Sequence, residues 1–299
     1  MMDYRLLHAL ATVVSEQGFD KAAQQLYLTQ SAVSRRIQQL ELQLGAPVLE
    51  RSQPPRPTPL GVKLLNHWQQ VRQLEAALGI AESTQPLTVR LATNADSLAT
   101  WLASALAPAT GQACVDDLLY ELVVVDQSIG LQRMKAGEVM ACICDSPQPV
   151  VAGLVEPLGA MRYRLVASPT LLARYAYQGL TDLPQLPCLV YDRDDLLQHQ
   201  FLQQVAGLKP QRVHLCPSSE GFRQAIHAGL GFGLLPDQQL GDALRTGLLV
   251  DLTPEHVLDT PLYWHYWQTE SPALHALRLR VKAAAQRSLQ PLDELGKDA

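Results

Sequence analysis

The sequence predicts an α/β protein in three parts: a small helical head, a connecting helix, and a larger body of alternating strands and helices. Three observations carry this reading. Apolar residues recur at helical spacing in successive segments of the first 45 residues. From Thr58 to about Leu78, apolar positions repeat at close to 3.5 residues, the period of a helix that wants a partner. From Leu87 onward, short apolar runs alternate with amphipathic segments, the pattern of an α/β sheet. At 299 residues the chain suits roughly two domains. A hydrophobic fraction of 47% and a charged fraction of 18% exclude a disordered chain.

In the head, Leu6, Leu7, Leu10 and Val14 lie at helical spacing, and Gly18 ends that helix. Asp20 can cap a short second helix, Lys21 to Leu26, in which Ala22 and Ala23 allow close packing. The turn Tyr27-Leu28-Thr29 leads to a third helix, Gln30 to Leu44, capped by Thr29 or Ser31. Val33, Ile37, Leu40 and Leu44 face its core, and Gly45 stops it. Gln30, Ser31, Ser34, Arg35 and Gln38 are left mostly for other faces.

Helix, short helix, tight turn and a helix that opens with Gln, Ser and Arg make a helix-turn-helix, whose last helix meets base edges with its N-terminal residues. Gln pairs with adenine and Arg with guanine, whereas Ser hydroxyls and the positive helix end suit phosphate. Three amphipathic helices with a polar outer face would show the same pattern. Local charge suits an anion-binding head but equally suits chance clustering on a solvated face, and the wing that follows tips the balance. Residues 1–79 hold eight Lys and Arg against six Asp and Glu, and residues 29–63 hold five against two, on a chain whose net charge is −5. Val48 to Arg51 reads as a short strand, and Ser52 to Pro57 as an irregular loop. That loop is a candidate wing, placing Arg51 and Arg56 near phosphates or the minor groove. Thr58 then caps the connecting helix, with Pro59 in its first turn. Leu64, Trp68, Val71, Leu74 and Leu78 form its apolar seam, open either to a second copy or to the chain's own body. Residues 79–86 read as a hinge.

The body opens with a strand, Leu87 to Ala92, and a helix, Ser97 to Leu106. Strands follow at Leu119 to Val125, Val139 to Cys144, Tyr163 to Ala167, Cys188 to Tyr191, Arg212 to Cys216, Gly233 to Leu235 and Leu262 to Trp267. Helices fall near Gly130 to Lys135, Thr170 to Tyr175, Leu196 to Val205, Gly221 to Ala228 and Ala273 to Leu289.

Open α/β sheets bind ligands at the carboxyl ends of their strands. That rule selects Thr93, Asn94, Ala95, Asp96 and Ser97 at a helix start, whose free N–H groups suit a carboxylate. It also selects Asp126, Asp145, Asp192, Ser218, Ser219 and Glu220, whose acids suit an ammonium or guanidinium. Such a cleft fits a basic amino acid. Helix capping is the alternative role for Asp96, Asp126 and Asp192.

Ala22-Ala23-x-x-Leu26, Thr29-Gln30-Ser31-Ala32-Val33-Ser34-x-x-Ile37-x-x-Leu40-Glu41 and Leu44-Gly45, with Arg51, Thr58 and Gly61, resemble the LysR-type transcriptional regulators over the whole chain. Asn94 to Trp101, Pro54 to Thr58 and Leu262 to His265 are similar to a lysine- and arginine-responsive branch of that family, also described as inhibitors of chromosome initiation. Pro57 stands where the wider family usually has Leu. The resemblance implies a winged helix-turn-helix over residues 1–58, with Thr29, Gln30, Ser31, Ser34, Arg35, Arg36, Gln38, Arg51, Arg56 and Thr58 at double-stranded DNA. It implies a dimerisation helix and hinge over 59–86, and a two-lobed, periplasmic-binding-protein-like effector domain over 87–299. Lobe I takes residues 87–160 and 268–299, lobe II 161–267, with crossovers near Ala160-Met161 and His265-Tyr266. A homodimer or homotetramer, a lysine or arginine effector and RNA polymerase are the implied partners, with control of amino-acid transport or biosynthesis genes.

Other classes fit less well. No uncharged apolar run reaches the ~20 residues of a membrane helix, and the start Met1-Met2-Asp3-Tyr4-Arg5 is unlike a secretory signal, so the expected location is cytoplasmic. Five cysteines read as reduced. Cys142-x-Cys144 lacks further ligands nearby, and the eight histidines are scattered, so neither metal nor cofactor is expected. Gly229-Leu-Gly-Phe-Gly233 lacks the context of a nucleotide loop, and Ser218-Ser219-Glu220 that of a catalytic triad, so no enzyme is expected. An amino-acid-binding protein without DNA function is the alternative, and the head argues against it.

Overall fold

The computed structural model describes residues 2–50, 52–77, 87–107, 118–125, 129–135, 138–151, 153–268 and 270–292. Arg51, Leu78, the hinge at 79–86 and Asp126 lie outside the described residues.

The head packs α1 (Tyr4–Ser15), α2 (Phe19–Gln25) and α3 (Gln30–Leu44) around a core of Leu6, Leu10, Val13, Val33, Ile37 and Leu40. Thr29 caps α3 by accepting from the Ala32 N–H at 3.2 Å, and Gly45 ends it in the left-handed region at φ 69°. The cap of α2 is Gly18 rather than Asp20, which lies in the first turn, where its charge suits the positive helix end. Glu41 reaches from α3 to accept the Val48 N–H at 2.9 Å, which fixes the start of the wing. The wing is a two-stranded antiparallel ribbon of β1 (Leu49–Glu50) and β2 (Arg56–Pro57), so the expected loop ends in a second strand.

The connecting helix α4 (Pro59–Ala77) starts at Thr58, whose hydroxyl donates to the Pro47 carbonyl and accepts from the Gly61 N–H. Gly61 is required here: a Cβ would lie 2.1 Å from the Val48 carbonyl oxygen. Leu64 and Trp68 pack into the head core, and Trp68 stacks with His8 at 5.4 Å. The first half of the apolar seam is therefore covered by the chain's own head. Leu74, at 41% exposure, is not.

The body is built on two long antiparallel strands, β6 (Gly153–Ala167) and β11 (Leu258–Trp267). On one side β11 pairs with β5 (Ala141–Cys144), which lies beside parallel β3 (Leu87–Thr93) and then β4 (Leu118–Val124). At its other end β6 pairs with β9 (Gly233–Pro236) and β10 (Val250–Asp251). Parallel β7 (Pro187–Val190) and β8 (Arg212–Leu215) join this half through hydrogen bonds between β7 and Phe232. Two α/β halves thus share one pair of strands. Tyr263 to Tyr266 of β11 already pair with β5, so that strand changes halves before the expected crossing at His265-Tyr266.

Four helical segments position the cavity. The stretch α5 (Ala95–Ser97), a π-helical turn (Leu98–Leu102) and α6 (Ala103–Leu106) runs on from β3. The other half contributes α9 (Leu197–Ala206), α10 (Ser219–His227) and α11 (Asp237–Leu240), and α12 (Pro272–Ser288) returns to the first half. Shorter helices α7 (Gly130–Lys135) and α8 (Pro169–Arg174) flank the sheet. One apolar core reaches from Val89, Ile143 and Trp264 to Cys188, Phe201 and Phe232. Among the described residues, no helix is long and apolar enough to cross a membrane.

Candidate nucleic-acid interface and ligand cavity

At 100° per residue, Ser31, Ser34, Arg35 and Gln38 of α3 share a face that turns away from Val33 and Leu40, and Gln30 sits beside that face in the first turn. Gln30, Ser31, Arg35 and Gln38 are exposed and Ser34 half-buried. The Thr29 and Ser31 hydroxyls are 3.0 Å apart at the helix start. This puts hydrogen-bonding groups and a positive helix end on one surface, the arrangement that enters a major groove. Arg56 is exposed on the second wing strand. Two expected contacts sit differently. Arg36 falls on the opposite flank, where its charge adds to the lowering of the Asp3 pKa, chiefly due to hydrogen bonds from Arg5, and of the His8 pKa, chiefly due to burial. Its helical phase, four residues before Leu40, excludes it from the outer face. The Thr58 hydroxyl is already engaged in capping α4 and tying it to Pro47.

A cavity of about 190 Å³ opens at the carboxyl ends of the parallel strands. One water occupies ~10–15 Å³ on this scale, so the space is ample for a small metabolite. Asn94, Ala95 and Asp96 form one wall with Val124 and Val125. The facing wall carries Tyr191, Asp192, Asp195 and Gln198 after β7, and Ser219, Phe222 and Gln239. Tyr163, Leu234 and Leu235 of β6 and β9 close it.

The wall holds three carboxyl groups, Asp96, Asp192 and Asp195, and none of its described residues is Lys, Arg or His. Burial pushes the Asp96 pKa up, against hydrogen bonds from Ser219 Oγ at 2.6 Å and Tyr163 OH at 3.0 Å that favour ionisation. Burial, then the charges of Asp96 and Asp192, also raises the Tyr191 pKa. Asp192 Oδ1 accepts from the Asp194 and Asp195 N–H groups, and Asp195 accepts from the Tyr191 and Leu197 N–H groups. Asn94 Oδ1, Gln198 Oε1 and Gln239 Oε1 are buried acceptors without a hydrogen-bond partner among the described residues. An acceptor-rich, acidic cavity favours a ligand that donates hydrogen bonds and carries positive charge.

Of the residues selected from the sequence, Asn94, Ala95, Asp96, Asp192 and Ser219 line this cavity. Thr93 and Ser97 are fully buried but off its wall, and the Thr93 hydroxyl turns to the Asn94 carbonyl. Asp145 is not part of the wall. Ser218 is an exposed cap that accepts from the Gly221 N–H. Glu220 lies on the outer face of α10, where hydrogen bonds from Arg223 and Gln224 hold its pKa down to about 2. Tyr163, Tyr191, Asp195, Gln198 and Gln239 were missed. Asp195 alone had a local signal, as the last acid of the run Asp192-Arg193-Asp194-Asp195.

Comparison with known proteins places both sites in a family. Residues 4–62 match the bacterial regulatory helix-turn-helix protein, lysR family, and residues 83–286 match the LysR substrate binding domain. The chain is 46% identical to the HTH-type transcriptional regulator ArgP of Pseudomonas fluorescens strain Pf-5, over 98% of this chain and all of that protein. It is 48% identical to ArgP of Pseudomonas aeruginosa, over 95% of this chain and 96% of that one. The crystal structure of ArgP from Mycobacterium tuberculosis superposes with a TM-score of 0.79 at 34% identity, covering 97% of this chain and 100% of that one. Full-length LysG from Corynebacterium glutamicum, with bound effector Arg, gives 0.71 at 32% identity with the same coverage. A helix-turn-helix head, a two-lobed α/β body and near full-length relatives that are regulators rather than enzymes lead to one assignment: the chain belongs to the LysR family of bacterial transcriptional regulators.

Proposed function

We propose that this regulator senses a basic amino acid, lysine or arginine, in the cavity between its two halves, and adjusts transcription of amino-acid transport or biosynthesis genes from the cytoplasm. The observation that carries the reading is the wall itself: Asp96, Asp192 and Asp195 with no cationic residue among the described lining. The bound effector Arg of LysG, a protein of the same architecture, supports it. The α-carboxylate would meet N–H groups in the first turn of the helical stretch 95–106, and the side-chain cation Asp192 and Asp195. Such an effector acts only by binding two arrangements of the halves unequally. DNA contact would be made by Gln30 and Arg35 at base edges, with Ser31, Ser34, Gln38 and Arg56 on the backbone. Two copies, paired through the part of α4 beyond the head, would present two such surfaces to half-sites about one helical turn apart.

Calorimetric titration of the full-length protein with lysine, arginine, glutamate and sulfate tests the effector. Lysine or arginine is expected to bind and the two anions to fail, because the acids repel them. Asp192→Asn is expected to weaken the cation's binding roughly tenfold or more with little change in melting temperature. Preferred binding of glutamate would overturn the assignment.

A further inference from the structure

We propose that Asp96 is the residue through which an occupied cavity acts on the joint between the two halves: its one carboxyl both bridges the cleft and receives the α-ammonium of the incoming amino acid, while Asp192 and Asp195 take the side-chain cation. The inference rests on the reading of the cavity as a basic amino acid site.

Asp96 lies in the first turn of the helical stretch that follows β3, in the first half of the body. Both of its oxygens are engaged from across the cleft. Ser219, the first residue of α10, donates to Oδ1 at 2.6 Å, and Tyr163 of β6 donates to Oδ2 at 3.0 Å. Gln239 of α11 donates to Ser219 Oγ at 2.7 Å. The chain Gln239–Ser219–Asp96–Tyr163 therefore ties one residue of the first half to two helices of the second and to the shared strand β6 where it pairs with β9, and every residue in it lines the cavity. Ser219 has a single hydroxyl proton. With Gln239 donating to its oxygen, that proton goes to Asp96. The bridge has no other acidic member, so its strength depends on the state of this carboxyl.

A cation in the cavity changes that state. Burial disfavours the ionised carboxyl, and a buried positive charge relieves the penalty directly. The ligand's N–H groups then compete with the Ser219 and Tyr163 hydroxyls for the same lone pairs. An occupant without a positively charged N–H group at this position offers no such exchange. This supplies the unequal binding of two states that an effector needs. The unpartnered Gln239 Oε1 and Gln198 Oε1, on the facing wall, are acceptors available to the same donor-rich ligand.

The competition predicts opposite signs at two ends of one hydrogen bond. Full-length wild type, Ser219→Ala, Tyr163→Phe and Asp96→Asn would be titrated with L-arginine and L-lysine, and each unliganded protein melted. Ser219→Ala and Tyr163→Phe are expected to lower the unliganded melting temperature yet tighten binding about fivefold or more, since the bridge no longer competes. Asp96→Asn is expected to weaken binding roughly tenfold or more. Unchanged or weaker binding in either hydroxyl variant would show that the bridge does not compete, and wild-type affinity in Asp96→Asn would remove the carboxyl from the site. Each of these overturns the inference alone. A wild type that takes up neither amino acid overturns the reading of the cavity as well.

Discussion

Gly61→Ala is the sharpest test of how the wing and the connecting helix are joined. The added Cβ would stand 2.1 Å from the Val48 carbonyl oxygen, 3.1 Å from Pro57 Cβ and 3.2 Å from the Val48 carbonyl carbon. Carbon and oxygen rest at about 3.3 Å or more, so the start of α4 and the wing must separate by roughly 1 Å. Val48 is fully buried, and its carbonyl also accepts the Thr58 N–H at 3.0 Å, so little slack exists. Overpacking of this kind costs about 1–3 kcal/mol, and weakening that hydrogen bond about 1 more. Alanine's better helix propensity returns at most about 1 kcal/mol. Steric strain wins, by about 2 kcal/mol, or roughly 10 °C for a unit of the head's size. Scanning calorimetry of the full-length variant should show the head melting earlier, and fluorescence anisotropy should show weaker binding to duplex DNA as Arg56 is displaced. A head that melted at or above the wild-type temperature would refute the packing argument.

Gln30→Ala should relax base preference in a binding selection, and Arg56→Ala should weaken all sequences alike while reducing the salt dependence by about one ion. Val71→Asp should dissociate copies paired through α4, seen as a smaller sedimentation coefficient; an unchanged coefficient would remove this helix from the interface. Arg278→Ala should destabilise the body by about 2 kcal/mol, because Arg278 pairs with both Glu156 and Glu270 and stacks over Tyr266 at 4.6 Å. Burial raises the Glu156 pKa, but Lys282 and Arg278 outweigh it and leave the pKa below the ordinary value of 4.5. The stability from this depressed carboxylate is present above that value and lost as pH falls through the lowered one. The gap between Arg278→Ala and wild type should therefore narrow in acid denaturation as pH falls below 4.5; a gap constant with pH would assign the loss to packing.

Helix α3 was legible because its ends are written locally, by Thr29 at one end and Gly45 at the other. The long strand β6 was not. Only Tyr163 to Ala167 was expected, and the unexpected part of the strand contains Pro157 and Gly159, two residues that ordinarily break strands. Both breakers have a place: the register with β11 slips between Leu262 and Tyr263, which leaves Leu158 as a bulge between them. Gly159, at φ 136°, also lets Leu289 and Gln290 approach to where a Cβ would stand 2.8 Å from each. In the cavity, Asn94 to Asp96 were found because they follow a strand and open a helix. Tyr163, Gln198 and Gln239 were not, since their place on the wall depends on how distant segments come together. Glu220 misled for the reverse reason: it opens the right helix but points away from the cavity toward Arg223.

The pair of strands common to both halves also bears on how the body comes apart. Ten register partners join β6 to β11, from Leu258 opposite Tyr163 to Trp267 opposite Gly153, and the same two strands anchor β5 on one side and β9 and β10 on the other. Neither half can lose its sheet without stripping hydrogen-bond partners from its neighbour, and the apolar core runs through both. Denaturant should therefore release the body in one cooperative transition, with the most slowly exchanging amides concentrated along β6 and β11. The head, with its separate core, would melt on its own schedule. Evolution of new cavity chemistry in either half is then constrained through a shared reserve of stability: a costly polar substitution at Asp192 or Ser219 would be felt equally by the half that carries Asn94 and Asp96.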